Sequence, residues 1–189
     1  MKGKFIVCEG LDGAGKTTTI KKAMKKLNKN YVYNKGLKSN TLMGKLAPKI
    51  PSTFTFLLEL LNNTIRKIKP ALKSNKIVLQ DRYDLSVLSC VPYVDKFYNK
   101  LFINFFKRFL LKPDILIYFT VSENERIKRL KQNKNKYHAK LIKNPKLIKL
   151  REKRYSEFYK NFKGAKYKID TTKKDVKEAA NEFVCLVSQ

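Results

Sequence analysis

The sequence predicts an α/β domain organised around a parallel β-sheet, and three observations carry that prediction. A short apolar run, Phe5-Ile6-Val7-Cys8, breaks at Gly10 into a glycine-punctuated turn, and a lysine-rich helical pattern takes over at Lys16. Short apolar runs then alternate with amphipathic segments along the chain, the pattern of strand–helix–strand units with right-handed crossovers. The run Ile115-Leu116-Ile117-Tyr118-Phe119-Thr120-Val121 is almost continuously apolar, as in a strand buried on both faces of a parallel sheet. The 189 residues are 43% hydrophobic and 12% aromatic, a globular composition with enough chain for a sizeable core. One domain over 1–189 is expected, with no internal repeat, low-complexity tract or linker.

The first turn carries chemistry. Gly10, Gly15, Lys16 and Thr17 match G-x-x-x-x-G-K-[ST] at every fixed position. Gly10, Gly13 and Gly15 admit backbone conformations that a side chain forbids, so successive N–H groups can form a nest for anionic oxygens. The helix that starts there adds the positive end of its dipole. Lys16 is placed to reach β- and γ-phosphates and the Thr17 hydroxyl to ligand Mg²⁺. An ordinary glycine-rich turn is the bland alternative; a strand before it and a helix after it favour a nucleotide-phosphate site at the sheet's C-terminal edge.

In chain order, residues 16–29 put Ile20, Ala23, Met24 and Leu27 on one face of a first helix. Asn28 to Asn30 end it, Tyr31-Val32-Tyr33 reads as a strand, and Asn34 to Asn40 as a polar loop, with a helical turn over Thr41 to Leu46. After Pro48 and Pro51, Ser52 caps a long helix whose apolar face is Phe54, Leu57, Leu58, Leu61, Ile65 and Ile68, and Pro70 kinks or interrupts it. Ile77-Val78-Leu79 is the next strand. It delivers Asp81-Arg82-Tyr83 to the edge where open α/β sheets bind ligands, a structural ion pair being the alternative. Asp84 to Cys90 resumes helix. Asp95 to Leu111 is strongly aromatic: Phe97, Leu101, Phe102, Phe105, Phe106, Phe109 and Leu110 cover more than one stripe, so the segment meets either core on two sides or a partner subunit. Ser122 and Glu125 form a capping box for a helix that carries Arg126 and Arg129. Lys131 to Lys143 has little apolar periodicity and reads as a solvated loop or, beside a phosphate site, a mobile lid. A helix over Lys146–Phe162, a strand over Tyr167–Asp170 and a closing helix through Val176, Ala180, Phe183 and Val187 complete the chain.

A formal net charge of +28 invites a nucleic-acid reading. The excess is mostly lysine and lies in nearly every segment, whereas specific footprints are clustered, so a solvated basic surface is expected over a dedicated nucleic-acid face, with any nucleic-acid contact non-specific. No apolar run reaches the length of a membrane span, and no signal peptide is expected, since the apolar run of the first strand begins at Phe5. Cys8, Cys90 and Cys185 have no metal spacing; Cys8 and Cys185 sit in apolar surroundings and are expected to be buried thiols of a cytoplasmic protein.

EGLDGAGKTTT at 9–19, IKPAL at 68–72, DRYDLS at 81–86 and KPDILIYFTV at 112–121, in this order and spacing, resemble the thymidylate kinase branch of the nucleoside monophosphate kinases. The resemblance implies a P-loop NTPase fold with a five-stranded parallel sheet and helices on both faces, a lid at about 131–143, a homodimer, and Mg²⁺-dependent transfer of the ATP γ-phosphate to dTMP. It implies that Gly10, Asp12, Gly13, Ala14, Gly15, Lys16, Thr17 and Thr18 hold ATP, with Asp12 also near the acceptor sugar. It assigns Asp81 and Thr17 to Mg²⁺, Arg82 to the acceptor phosphate with Ser86 among the acceptor contacts, and Phe56 to stacking on the base. Gly13 stands where one subgroup has a loop arginine, so the transition-state cation falls to the lid side, with Arg129 the best match. Departures cluster at the nucleoside. Tyr33-Asn34-Lys35-Gly36 replaces Arg-Glu-Pro-Gly, Leu60 replaces the base-bonding arginine, and Ser89-Cys90-Val91 replaces Ala-Tyr-Gln. A kinase of this fold with another acceptor, or a non-catalytic relative that binds ATP or nucleic acid, is the alternative reading.

Overall fold

The computed structural model describes residues 3–28, 30–36, 52–90, 104–133 and 136–188. Five strands, β1 (Phe5–Glu9), β2 (Tyr31–Lys35), β3 (Ile77–Asp81), β4 (Ile115–Thr120) and β5 (Ala165–Asp170), form one sheet in the order β2-β3-β1-β4-β5. Every pairing is parallel, as the alternation of strands and helices requires. Central β1 is buried throughout and β4 nearly so, while edge strands β2 and β5 are mostly half-buried or exposed. Alternation along β1 sorts the core into two layers. Ile6 and Cys8 pack on one face with Ile20 and Ala23 of α1 (Lys16–Met24) and Ala180 and Phe183 of α8 (Val176–Val187). Phe5 and Val7 pack on the other with Leu57 and Leu60 of α2 (Ser52–Asn63) and with Ile68.

The long helix after Ser52 is interrupted as predicted, by a specific device. Thr64–Ile68 is a π turn, followed by α3 (Lys69–Lys73) with Pro70 in its first turn. Proline cannot donate to a carbonyl four residues back and its ring crowds that carbonyl; the wider turn gives it room. The turn also changes the helix phase, so Thr64 and Ile68 are buried while Ile65, expected on the apolar face, is 53% exposed.

Further corrections are local. The first helix ends at Met24 rather than near residue 29. Cys185 is exposed, because α8 turns Phe183 and Val187 to the sheet and 185 away from it. Val176 is exposed too, being the first residue of α8, whose start is fixed instead by a capping box between Asp175 and Glu178. The capping box at Ser122 is half formed: Ser122 Oγ accepts from Glu125 N at 3.4 Å, but the Glu125 carboxylate is taken by Arg129. Within the expected loop at 131–143, residues Lys136–Ile142 form helix α6, anchored by buried Leu141, between α5 (Glu123–Gln132) and α7 (Pro145–Asn161). In the aromatic segment, Phe106 is buried while Phe105 and Phe109 are 56% and 50% exposed. Thr41 to Leu46, Pro48, Pro51, Phe97, Leu101 and Phe102 lie outside the described residues, as do the side chains of Phe54, Phe56 and Cys90.

Candidate active site

The C-terminal strand ends bring the predicted residues to one edge, with Cys8 and Lys35 both in register with Asp81 and Glu9 with Tyr118. Gly10 has φ 145°, and a Cβ there would lie 2.3 Å from Phe119 O on the adjacent strand. Gly13 has φ 85°, and its missing Cβ leaves room for Arg126 Cγ 3.0 Å away. Gly15 is the left-handed cap from which α1 begins. The turn borders a cleft of about 590 Å³ lined by Asp12, Gly13, Gly15, Lys16, Thr17, Thr18, Lys35, Gly36, Arg82, Arg129, Leu130, Asn133 and His138. Ala14 is buried beneath it. A larger cavity, about 930 Å³, opens at the opposite edge beside Lys4, Tyr31 and Tyr167, where no phosphate loop meets it.

At one end of the cleft the charges are folded inward. Lys16 Nζ donates to Gly10 O at 2.6 Å and Leu11 O at 2.9 Å. Burial, then the Arg82 charge, lowers its pKa to about 8. Thr17 Oγ1 donates to Asp81 Oδ2 at 2.5 Å, and Tyr33 OH donates to the same oxygen at 3.0 Å. Burial and then the Asp81 charge push the Tyr33 phenol well up, so it stays a donor. Asp81 Oδ1 is buried with no hydrogen-bond partner. Among the described residues no cluster of three or more His, Cys, Asp or Glu could hold a metal alone, but Mg²⁺ at phosphoryl-transfer sites takes one or two carboxylates plus substrate phosphates and water. The orphaned Asp81 oxygen beside the Thr17 hydroxyl fits that donor set.

At the other end Asp12 bridges two arginines. Arg82 Nη2 donates to Asp12 Oδ1, and Arg151 Nη1 to Asp12 Oδ2 at 3.2 Å. Burial opposes ionisation of Asp12, but Arg82, Lys16 and Arg151 outweigh it and hold the carboxyl at about 2. Arg82 has φ 70°, a strained conformation for a residue with a side chain; its N–H is tied to Cys8 O at 3.0 Å and its carbonyl to Gln80 Nε2 at 2.8 Å. Ser86 is buried in helix α4 (Asp84–Cys90). Its Oγ donates to Glu9 Oε2 at 2.5 Å, lies 3.0 Å from Tyr155 OH and accepts from Arg82 Nη1 at 3.4 Å. Glu9 Oε1 also accepts from Tyr83 N at 2.8 Å and Ser86 N at 3.1 Å, capping the first turn of α4 from the end of β1. Burial raises the Glu9 pKa, partly offset by the hydrogen bonds from Ser86 and Tyr83.

Arg129 sits on α5, the helix expected to carry it. Nε donates to Glu125 Oε1 at 2.9 Å, Nη1 to Thr171 Oγ1 at 2.9 Å and Gly13 O at 3.4 Å, and Nη2 to Thr171 O at 2.8 Å. Its guanidinium thus lies beside the glycine turn and lines the cleft.

Sequence reasoning missed Glu9, Tyr33, Lys35, Arg151 and Tyr155. Arg151 and Tyr155 carried a readable signal: with Ile148 they occupy the buried stripe of α7, a place for apolar side chains unless the charge has a partner. Leu60, which stands where the resemblance has the base-bonding arginine, is 0% exposed, in the core with Phe5 and Tyr83. Ser89 is also buried, its Oγ donating to Ser86 O at 3.2 Å. Val91 lies outside the described residues.

The thymidylate kinase family model matches residues 8–183. A probable thymidylate kinase of Methanocaldococcus jannaschii is 34% identical over 95% of this chain and 93% of its own. The thymidylate kinase of Bacillus licheniformis is 29% identical over 87% and 85%. Among solved structures, thymidylate kinases from Candida albicans and Ehrlichia chaffeensis superpose with TM-scores of 0.72 and 0.66 at 18% and 20% identity, covering 99% and 98% of this chain and 92% and 98% of theirs. At that identity the likeness shows a common fold.

Proposed function

The chain belongs to the thymidylate kinase family, and from that premise we propose that it transfers the γ-phosphate of ATP to dTMP, giving ADP and dTDP. One observation carries the reading: Lys16 and Thr17 line the same cleft as Arg82 and Asp12, with Asp81 buried behind Thr17 as the acceptor of its hydroxyl. Phosphoryl transfer spreads charge over a loose transition state, so the protein's work is to position and neutralise. Lys16 leaves its two carbonyls for the β- and γ-phosphates, stronger acceptors that restore its full charge. Thr17 and Asp81 would hold Mg²⁺, which neutralises phosphate charge when bound with the nucleotide. Arg82, whose backbone is fixed at the strand end, exchanges its Asp12 contact for the acceptor phosphate, and Asp12 faces the sugar. Arg129, braced by Glu125 and Thr171, supplies a cation beside the transferring group. The cationic segment at 131–143 closes over it as a lid, and Phe56 of α2 stacks on the base.

The exposed Phe105 and Phe109 support a homodimer, and free Cys8 and Cys185 suit a reducing cytoplasm. Among the described residues no helix is long and apolar enough to cross a membrane. A second reading, a different acceptor nucleotide, draws on Leu60: its side chain belongs to the core and offers the base nothing polar. A coupled ADP-release assay across dTMP, dUMP, dCMP, dGMP and AMP tests both. Highest kcat/KM with dTMP is expected; a clear preference for another acceptor establishes the second reading, and no turnover with any of them overturns both.

A further inference from the structure

We propose that Arg151 is a positioning residue of the acceptor site, holding Asp12 in place so that Arg82 can turn from Asp12 to the acceptor's phosphate. The inference rests on the reading of the chain as a nucleoside monophosphate kinase. Both groups that hold Arg82 in the cleft are themselves held by α7. Arg82 donates to Asp12 Oδ1 and, at 3.4 Å, to Ser86 Oγ. The other Asp12 oxygen accepts from Arg151 at 3.2 Å, and the Ser86 hydroxyl meets Tyr155 OH at 3.0 Å. Arg151 and Tyr155 are four residues apart, so they stand one above the other on the buried face of α7.

The two arginines on Asp12 differ in reach. Arg82 lines the cleft with 20% of its side chain exposed, whereas Arg151, at 2%, lies behind the carboxylate and does not line it. An incoming phosphate dianion therefore meets Arg82. Without Arg151, the transfer of Arg82 to the phosphate would leave Asp12 with no ion pair, only the charge of Lys16, which serves the donor phosphates, next to a new double negative charge in a partly desolvated place where like charges repel strongly. Arg151 keeps that carboxylate paired throughout. Arg82 then exchanges one anionic partner for another, and Asp12 stays where it faces the acceptor. Tyr155, by fixing Ser86, does the same for Arg82's second contact.

The test is a double-mutant cycle on the full chain: Arg151→Met, Asp12→Asn, the two together, and Arg151→Lys. Calorimetry gives the affinities for dTMP and ADP. Arg151→Met is expected to weaken dTMP about tenfold or more while ADP affinity stays within about twofold, and Arg151→Lys to recover part of the loss. In the Asp12→Asn background the same substitution should change dTMP affinity by less than about twofold, because no carboxylate is left to hold. A loss of equal size in both backgrounds, or an equal loss for ADP, overturns the proposal: the first shows action other than through Asp12, the second a packing role. If Arg151→Met does not fold, Arg151→Gln, which also removes the charge, takes its place in the cycle with the same criteria. If the wild type binds ADP but no dTMP, the functional reading fails by itself. The positioning role is then decided by following the Asp12 carboxyl titration with carbon NMR: an upward shift in the Arg151 variant supports it, and an unmoved titration overturns it.

Discussion

The two ends of the cleft are built on different principles. The phosphate end uses main chain and a few charges at strand ends, so a stretch of eight residues from Gly10 to Thr17 fixes most of it. On the proposed reading the base is met by side chains of helices α2 and α4, and which of them faces it depends on helix phase over many residues. The π turn at Thr64–Ile68 shows the consequence. It follows Leu60, which stands where the resemblance has the base-bonding arginine and which packs in the core with Phe5 and Tyr83. Recognition of phosphate tolerates drift in the rest of the fold, whereas recognition of a base does not.

The largest expected effect is at the phosphate end. Lys16→Met should lower kcat/KM by roughly 10²–10³, the scale of losing one preorganised charge contact, with melting unchanged; normal turnover would erase the contrast altogether. The same lysine sets a basic limb. Its ammonium is the active form and its pKa in the free protein is about 8, so kcat/KM for ATP should be full below that pH and fall as pH rises through it. Arg129→Ala comes next: kcat should fall by roughly tenfold or more with a smaller rise in the KM for ATP. An unchanged kcat with raised KM would make Arg129 a binding residue.

Asp12 sharpens the comparison through stability. Its folded pKa of about 2 lies below the ordinary 3.8, so its contribution is complete above pH 3.8 and is lost as pH falls through 2. That contribution is about 2 kcal/mol. Urea melts between pH 5 and 2 should show that loss in the wild type and not in Asp12→Asn; parallel curves would mean the two arginines leave Asp12 unperturbed. The smallest effect is expected at the base end. Stacking holds every base and a methyl is worth about 1–3 kcal/mol, so dTMP should exceed dUMP by about tenfold in kcat/KM. A preference of several orders of magnitude would mean that polar groups read the base, and the contrast between the ends would collapse.

The strand order of chemistry, Gly10 to Thr17 and then Asp81-Arg82, was legible because each group lies within a few residues of a strand end. The buried runs of β1 and β4 announced a parallel sheet for the same reason: their environment is written in consecutive residues. The contacts of Arg129 were not legible, since Glu125 is local but Thr171 is 42 residues away. Arg151 meets Asp12 across 139 residues, a distance no periodicity encodes. Cys185 failed differently. Its apolar neighbours in sequence alternate around a helix, and composition could not tell which of them face the sheet.

Glu9 bears on how the protein moves. Its carboxylate joins the end of the central strand to the first turn of α4 through three hydrogen bonds, and the glycine turn leaves that same residue in the other direction. The glycine turn and the first turn of α4 are therefore tied to the same strand-end residue, so on the proposed reading the donor and acceptor half-sites share one support. The proposed lid would then have a lighter task, excluding water and adding charge, and its speed would set turnover without disturbing the direction of transfer.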